Sequence, residues 1–518
     1  MSVGGTVAYV AGRFRTFSMI VKALISDKRG LAGLLIVLFY AMLGGVGPVL
    51  LTYDPILSQN LAEAVAMPEW LASPTTPRNI NQTLYNWSLV SVEKLGDVSV
   101  SVSRVGSSFV VVVEGVGEAN ITLILSDYIL YPYDPAKSLR VATSYGVLNI
   151  SDRNPAWYRI KYYLVNPDLL GRTVNLTIGG QIYTIPQGLY VFYDEPGFRI
   201  GILYSYVNTL RDNISVNIRL PNYIYNERQP TPVPQAVNPV NEMLLARDTR
   251  LTVGVNITYY CDPLSIMERC DKGGLRFEFR PVNIFIFGTA FGLLGTSGVG
   301  ADVWTQFVYG ARSAVIFGFS VAVAIVLLGL FIGVTAGYYG GKLRDYVLTY
   351  ITDVVYFIPV LPLILAAGIV FGRSIIIIYL VIVLLSWPGT ARVIRSWTLA
   401  LRNELYVEAV QALGAGTGRI LTKHIIPQLV PYLVYAVVVG VPGAVFTEVA
   451  IQLLGFGDPF WPSWGKMLNE AFYGGAINQG AWWWIMPPIA GVVTLALGFA
   501  LMGLALDEIA NPRLRRRI

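Results

Sequence analysis

The side chains able to do chemistry are few. There is one histidine, His424, and two cysteines, Cys261 and Cys270, in 518 residues. A His/Cys metal site needs three or four such ligands, so no metal site is expected. His424 has no Ser, Cys or Asp partner at a spacing that suggests a nucleophile–base pair, and it reads as a structural or docking residue. Two acids, Asp353 and Glu448, fall in or near long apolar runs. An acid at a bilayer centre costs about 2.5–3.5 kcal/mol on insertion scales, so each is expected to be buried and partnered. Each reads either as a group lining a pathway or as a helix-packing hydrogen bond. The nearest approach to a phosphate loop is AGYYGGKL, at 336–343. It lacks the first glycine of G-x-x-x-x-G-K-[ST], and Leu343 stands where a hydroxyl would hold magnesium. No reaction is expected on this chain.

The composition explains where these groups sit. Of the residues, 54% are apolar and only 14% charged, against about 25% charged in soluble domains. The mean hydropathy is +0.55. These values describe a membrane protein. The net charge of +6 does not point to nucleic acid, because the basic residues flank apolar runs. They cluster at Arg13, Arg15, Lys22, Lys28 and Arg29, at Arg392 and Arg395, and at Arg513, Arg515, Arg516 and Arg517. That distribution follows the positive-inside rule.

A span needs about 20 mostly apolar residues. Six candidates occur, at 31–51, 313–337, 346–371, 374–391, 429–455 and 483–506. An even number puts both termini on one side, taken as cytoplasmic from the basic flanks. The expected order is a cytoplasmic segment 1–30, a first transmembrane helix 31–52, and an extracellular insert 75–287. A core with helices two to six follows at 290–506, carrying a cytoplasmic loop 398–427, then a basic cytoplasmic tail 507–518. Pro359 and Pro362 interrupt the third span, which a helix bundle tolerates. Trp482, Trp483 and Trp484 open the last span as an interfacial aromatic belt.

The insert alternates with period two in DVSVSVSRV, ITLILS, TVNLTIGGQIYTI, ISVNIRL and LTVGVNITYY, with turn-rich stretches between. It is expected to be an all-β domain of sandwich type. Seven N-x-S/T sequons begin at Asn81, Asn86, Asn120, Asn149, Asn175, Asn213 and Asn256, all inside it. They are candidate glycosylation sites in an extracellular domain; an Asn- and Thr-rich β domain also produces the pattern by chance. Cys261 and Cys270 lie in the same segment, and a disulfide is expected there over two free thiols.

The loop before the fifth span is polar and helical in pattern. A helix over 402–413 puts Leu405, Ala409 and Leu413 on one face, beside Tyr406 and Val410, and Glu404, Glu408 and Gln411 on another. Gly414 is placed to end it in the left-handed conformation. A second helix then runs to Pro427.

The stretch YVEAVQALGAGTGRILTKHIIPQLVP, with Glu408-Ala409, Gly414 and Pro427 at their spacing, resembles the "EAA" loop of ABC importer permeases, in particular the dipeptide/oligopeptide branch. Val410 stands in place of the second alanine. LGTSGVGADVWTQFVYGAR resembles that branch's G-T-D-x-x-G-R-D-V…Y-G-x-R element, with Ser297, Ala301 and Gln306 departing by loss of charge. TEVAIQLLGFG…PSWGKML resembles its E-x-x-L-x-x-L-G-x-G…P-S-W-G-x-M-L element, which includes Glu448 and Trp464. The likeness is close over 290–518 and loose over 1–75; the β insert has no counterpart in the family's usual short outer loop.

The resemblance implies an α-helical type I importer permease fold with six transmembrane helices, here with an inserted extracellular all-β domain. It implies that Glu404, Glu408, Ala409, Gln411, Leu413, Gly414 and Pro427 form the contact with a cytoplasmic ATPase. Asp353, Glu448 and Trp464 are pathway or packing candidates. The implied partners are membrane lipid, a second homologous permease, two ATP-binding subunits that hold ATP and magnesium, and an extracellular substrate-binding protein. No cofactor on this chain and no nucleic acid are expected. The implied cargo is peptide, with oligosaccharide as the alternative. A different class stays open: a membrane-anchored surface receptor or carbohydrate-binding protein whose β domain does the work.

Overall fold

A computed structural model describes residues 24–150, 156–178, 181–195, 211–221, 237–264 and 270–510. The basic residues Arg13, Arg15 and Lys22 and the arginines of the tail lie outside the described residues. The chain forms two compact units, one of Met1–Gln59 with Ala301–Ile518, the other Asn60–Gly300.

The first unit is helical. Its helices are α1 (Lys28–Leu50), α2 (Val303–Tyr338), α3 (Leu343–Tyr356), α4 (Val360–Phe371), α5 (Ile375–Arg402), α6 (Leu405–Ala412), α7 (Thr417–Leu453), α8 (Trp464–Tyr473) and α9 (Trp482–Ala510). Five of them, α1, α2, α5, α7 and α9, are long and apolar enough to cross a membrane. The third expected span is broken. Pro359 caps α4 with extended backbone, and α3 and α4 meet at 76°. Six spans result only if that pair counts as one. Proline removes a backbone donor and forces its predecessor out of the helical region, which explains the break at Ile358–Pro359.

Helix packing rests on close approach through small residues. Gly329, Gly333 and Gly337 recur every fourth residue on α2. A Cβ on them would meet Thr390 at 2.9 Å, the Ala391 carbonyl at 2.5 Å and Thr398 at 2.6 Å. Thus α2 and α5 touch almost backbone to backbone. Gly33 on α1 is set as tightly against the Gly498 carbonyl on α9, at 2.4 Å.

The second unit holds strands β1 (Ile80–Leu84), β2 (Trp87–Val105), β3 (Ser108–Leu125), β4 (Ile129–Tyr131), β5 (Ser138–Asn149), β6 (Trp157–Val165), β7 (Thr173–Ile178), β8 (Gln181–Pro186), β9 (Leu189–Glu195), β10 (Arg211–Leu220), β11 (Thr249–Cys261), β12 (Gly273–Phe279) and β13 (Val282–Phe287). Among the described residues one sheet of eleven strands runs β1-β13-β5-β12-β3-β11-β6-β9. In it β10 also pairs β5, β2 pairs β3 and β4 pairs β11; β7 and β8 pair separately. The sheet is continuous because β3 pairs β12 along Phe109–Gly115 and β11 along Gly117–Ile124. Gly115 and Gly117 mark that change with φ of +122° and +136°, and a Cβ there would lie 2.0 and 2.2 Å from the Asp97 and Leu95 carbonyl oxygens. Buried side chains from the strands form one hydrophobic core. Tyr145 of β5 stacks on Phe279 of β12, and its hydroxyl is 3.2 Å from that of Tyr193 on β9.

Cys261 and Cys270 form a disulfide at the end of β11. Asn81, Asn86 and Asn175 are exposed, whereas Asn120, Asn149 and Asn256 are partly buried. Asn213 lies in β10. Two of the sequons pair with each other: Asn256 faces Thr122 and Asn120 faces Thr258 on neighbouring strands. Asn256 donates to the Thr122 hydroxyl at 3.2 Å.

Candidate coupling site

The segment between α5 and α7 is shaped by where its apolar residues go. The helix expected over 402–413 divides, because α5 runs on to Arg402 and the chain turns at Asn403 and Glu404. Glu404 then sits at the N-cap of α6, where a carboxylate complements the helix dipole. Val407 is fully buried and anchors α6 in a cluster with Val334, Ile394, Ile420, Ile425 and Leu429. Gln428 donates to the Tyr406 hydroxyl at 2.6 Å. Partial desolvation raises the Tyr406 phenol above its ordinary range. Gly414 has φ +81° and turns the chain into α7. That helix passes through a π turn at Leu421–Ile425 and past Pro427 without interruption.

The opposite side of α6 has no partner within the described chain. Leu405 and Leu413 are 82% and 86% exposed, and Ala409 lies between them on the same stripe. Glu404, Glu408, Gln411, Gly414 and Pro427 are exposed as well. An eight-residue helix is thus pinned by one valine and presents two leucines and two acids outward.

The segment at 336–343 is no phosphate cradle. The Gly341 amide donates to a carboxylate of the chain itself, Asp345 Oδ2, at 3.0 Å. An anion there already occupies the donor that a phosphate would need.

A sequence model of the family described as binding-protein-dependent transport system inner membrane component matches residues 325–516, wholly outside the β unit. Over 224 residues the chain is 32% identical to the dipeptide transport system permease protein DppC of Bacillus subtilis (strain 168), covering 43% of this chain and 69% of that protein. It is 31% identical over 224 residues to the oligopeptide transport system permease protein OppC of the same organism, covering 43% and 72%. The chain belongs to this family of importer permeases, in its dipeptide/oligopeptide branch. It is a multi-pass membrane protein and a transporter subunit. Among solved structures, a chain of the inward-facing MetNI methionine ABC transporter aligns over 40% of this chain and 94% of its own length, at 19% identity and a TM-score of 0.31.

The remaining candidates of this permease are distributed as follows. Asp353 accepts from Arg392 at 2.7 Å. Glu448, on α7, is 3% exposed and lies beside Gln452 and Ser463; its Oε1 has no hydrogen-bond partner among the described residues. Trp464 is 1% exposed and packs into the junction of α1, α2 and α9. It donates to the Phe307 carbonyl at 3.0 Å, stacks on Phe307 and meets Tyr40 edge-on. His424 is half-buried in the π turn. Sequence reasoning missed Asp345, which accepts a forked pair of bonds from Arg395. The available signal was Asp345 and Asp353 eight residues apart on one helix, with Arg392 and Arg395 three apart on another.

Proposed function

We propose that this permease forms half of a translocation pathway for peptides, and that α6 is its contact with an ATP-hydrolysing subunit on the cytoplasmic side. The observation that carries this is the outward stripe of Leu405, Ala409 and Leu413 on a helix held from behind by Val407. Exposed apolar side chains on a short amphipathic helix suit insertion into a groove of another protein. Glu404 and Glu408 beside them add a charge pattern that favours a basic rim on that groove. The partner supplies ATP and magnesium; a second permease completes the pathway, and an extracellular binding protein delivers cargo. Alternating access then needs only that the partner contact the two states of the permease differently. The disulfide in the β unit supports an extracellular place for it, since such bonds persist in oxidising compartments. Peptide as cargo rests on the names of the relatives. The test is purification of the native complex and uptake in vesicles. An ATP-hydrolysing subunit that is retained by the wild type and lost with Leu405→Asp/Leu413→Asp supports the reading. Uptake of labelled oligosaccharides but not of peptides overturns the cargo, and no ATPase in the complex overturns the coupling.

A further inference from the structure

Helix α3 is inverted in polarity. Its buried residues are Asp345 and Thr352, while Tyr346, Tyr350 and Phe357 beside its end are 66%, 71% and 79% exposed. None of its apolar side chains is fully buried, and Leu348 and Val355 are half-buried. Charged groups make its hydrogen bonds to α5. The Arg395 guanidinium on α5 donates through Nε and Nη2 to both oxygens of Asp345, at 2.6 and 2.7 Å, and the carboxylate is 3% exposed. Two turns further along α3, Arg392 donates to Asp353 at 2.7 Å and lies 3.9 Å over the Tyr356 ring. At the other end, Arg402 donates to the Gly340 carbonyl at 3.2 Å, in the turn between α2 and α3. At 100° per residue, 392, 395 and 402 fall within a narrow arc of α5. Three residues after Arg402, α6 begins at Leu405.

We propose that Arg392, Arg395 and Arg402 form a clamp that fixes α3 and the turn before it to α5, so that a displacement of α6 is carried into α3. This rests on the reading of α6 as the coupling contact. A forked arginine–carboxylate pair fixes orientation as well as distance, and in an apolar surround neither partner is stable alone. Asp345 and Arg395 are positioning residues. They act through α3, and they determine whether motion at α6 reaches it.

The test uses the intact complex. Asp345→Asn/Arg395→Gln removes both charges together, so no uncompensated ion is left behind. Cargo moved per ATP hydrolysed is expected to fall by about tenfold, with ATPase binding and basal hydrolysis retained. The reversed pair Asp345→Arg/Arg395→Asp is expected to recover part of the loss. In parallel, spin labels on Tyr350→Cys and Val393→Cys report the α3–α5 distance. It should be the same with and without trapped nucleotide in the wild-type background, and should broaden in the charge-free variant. Unchanged transport per ATP with an unchanged label distance in that variant overturns the clamp. A complex without any ATPase overturns the coupling reading instead, and the label distances still decide whether α3 is held by these charges.

Discussion

Gly310 on α2 lies against the indole of Trp464, so closely that a Cβ on it would sit 2.4 Å from Cδ1. Gly491 on α9 receives the same ring from the other side at 2.8 Å. The indole is therefore a wedge between helices, and two glycines make the room for it. Trp464→Ala should destabilise the helical unit by about 3–5 kcal/mol, the usual cost of emptying a large aromatic site. Gly310→Leu should destabilise it by overpacking. Thermal unfolding in detergent checks both, and a melting temperature unchanged in both variants would contradict the wedge.

Asp302 caps α2. It accepts from the Trp304 and Thr305 amides at 3.3 and 3.0 Å and from the Thr305 hydroxyl at 2.6 Å. Asp302→Ala should cost about 0.5–2 kcal/mol, and Asp302→Asn far less, since Asn caps as well as Asp. Burial raises the Asp302 carboxyl above its ordinary value. The folded state then binds the proton more tightly than the unfolded state. The resulting stability is fully present below that value and is lost as pH rises through the folded value. Unfolding measured from acid to neutral pH should show this slope in the wild type and lose it in Asp302→Asn.

Cys261 and Cys270 are nine apart in sequence. Chain-entropy arguments assign a bridge over so short a loop about 2–3 kcal/mol. Cys261→Ser/Cys270→Ser should weaken hydrogen-exchange protection at the end of β11 and the start of β12. Native protein, unreduced, should take up no thiol reagent.

Much of the architecture was legible, and for physical reasons. Long apolar runs mark bilayer-length helices because no polar backbone can stay unsatisfied in hydrocarbon. Alternation in LTVGVNITYY marks β11 because its residues from Leu251 to Tyr259 point alternately into the core. Strands β12 and β13 did not stand out: Leu275, Phe277, Phe279, Ile284 and Ile286 are buried in short runs that turn signals barely separate. The break in the third span was visible in Pro359 and Pro362, but its 76° angle depends on packing that no local pattern records. The coupling segment showed the same limit. The apolar stripe of Leu405, Ala409 and Leu413 was readable from spacing, yet periodicity alone assigns such a stripe to a core. Val407, off that stripe, is the residue that is buried. Asp345 was missed because it sits one residue before the apolar run, and only the fold brings Arg395, 50 residues on, to its carboxylate.

The most direct test of the account uses the absence of free cysteines among the described residues. Leu413→Cys places a single thiol on the exposed stripe of α6, and Val407→Cys places one on its buried side. In the native complex a short bifunctional thiol–amine reagent should join position 413, and not 407, to the ATP-hydrolysing subunit. Labelling of position 413 by a membrane-impermeant maleimide added outside intact cells, or no adduct to any other subunit, would contradict the coupling role of α6.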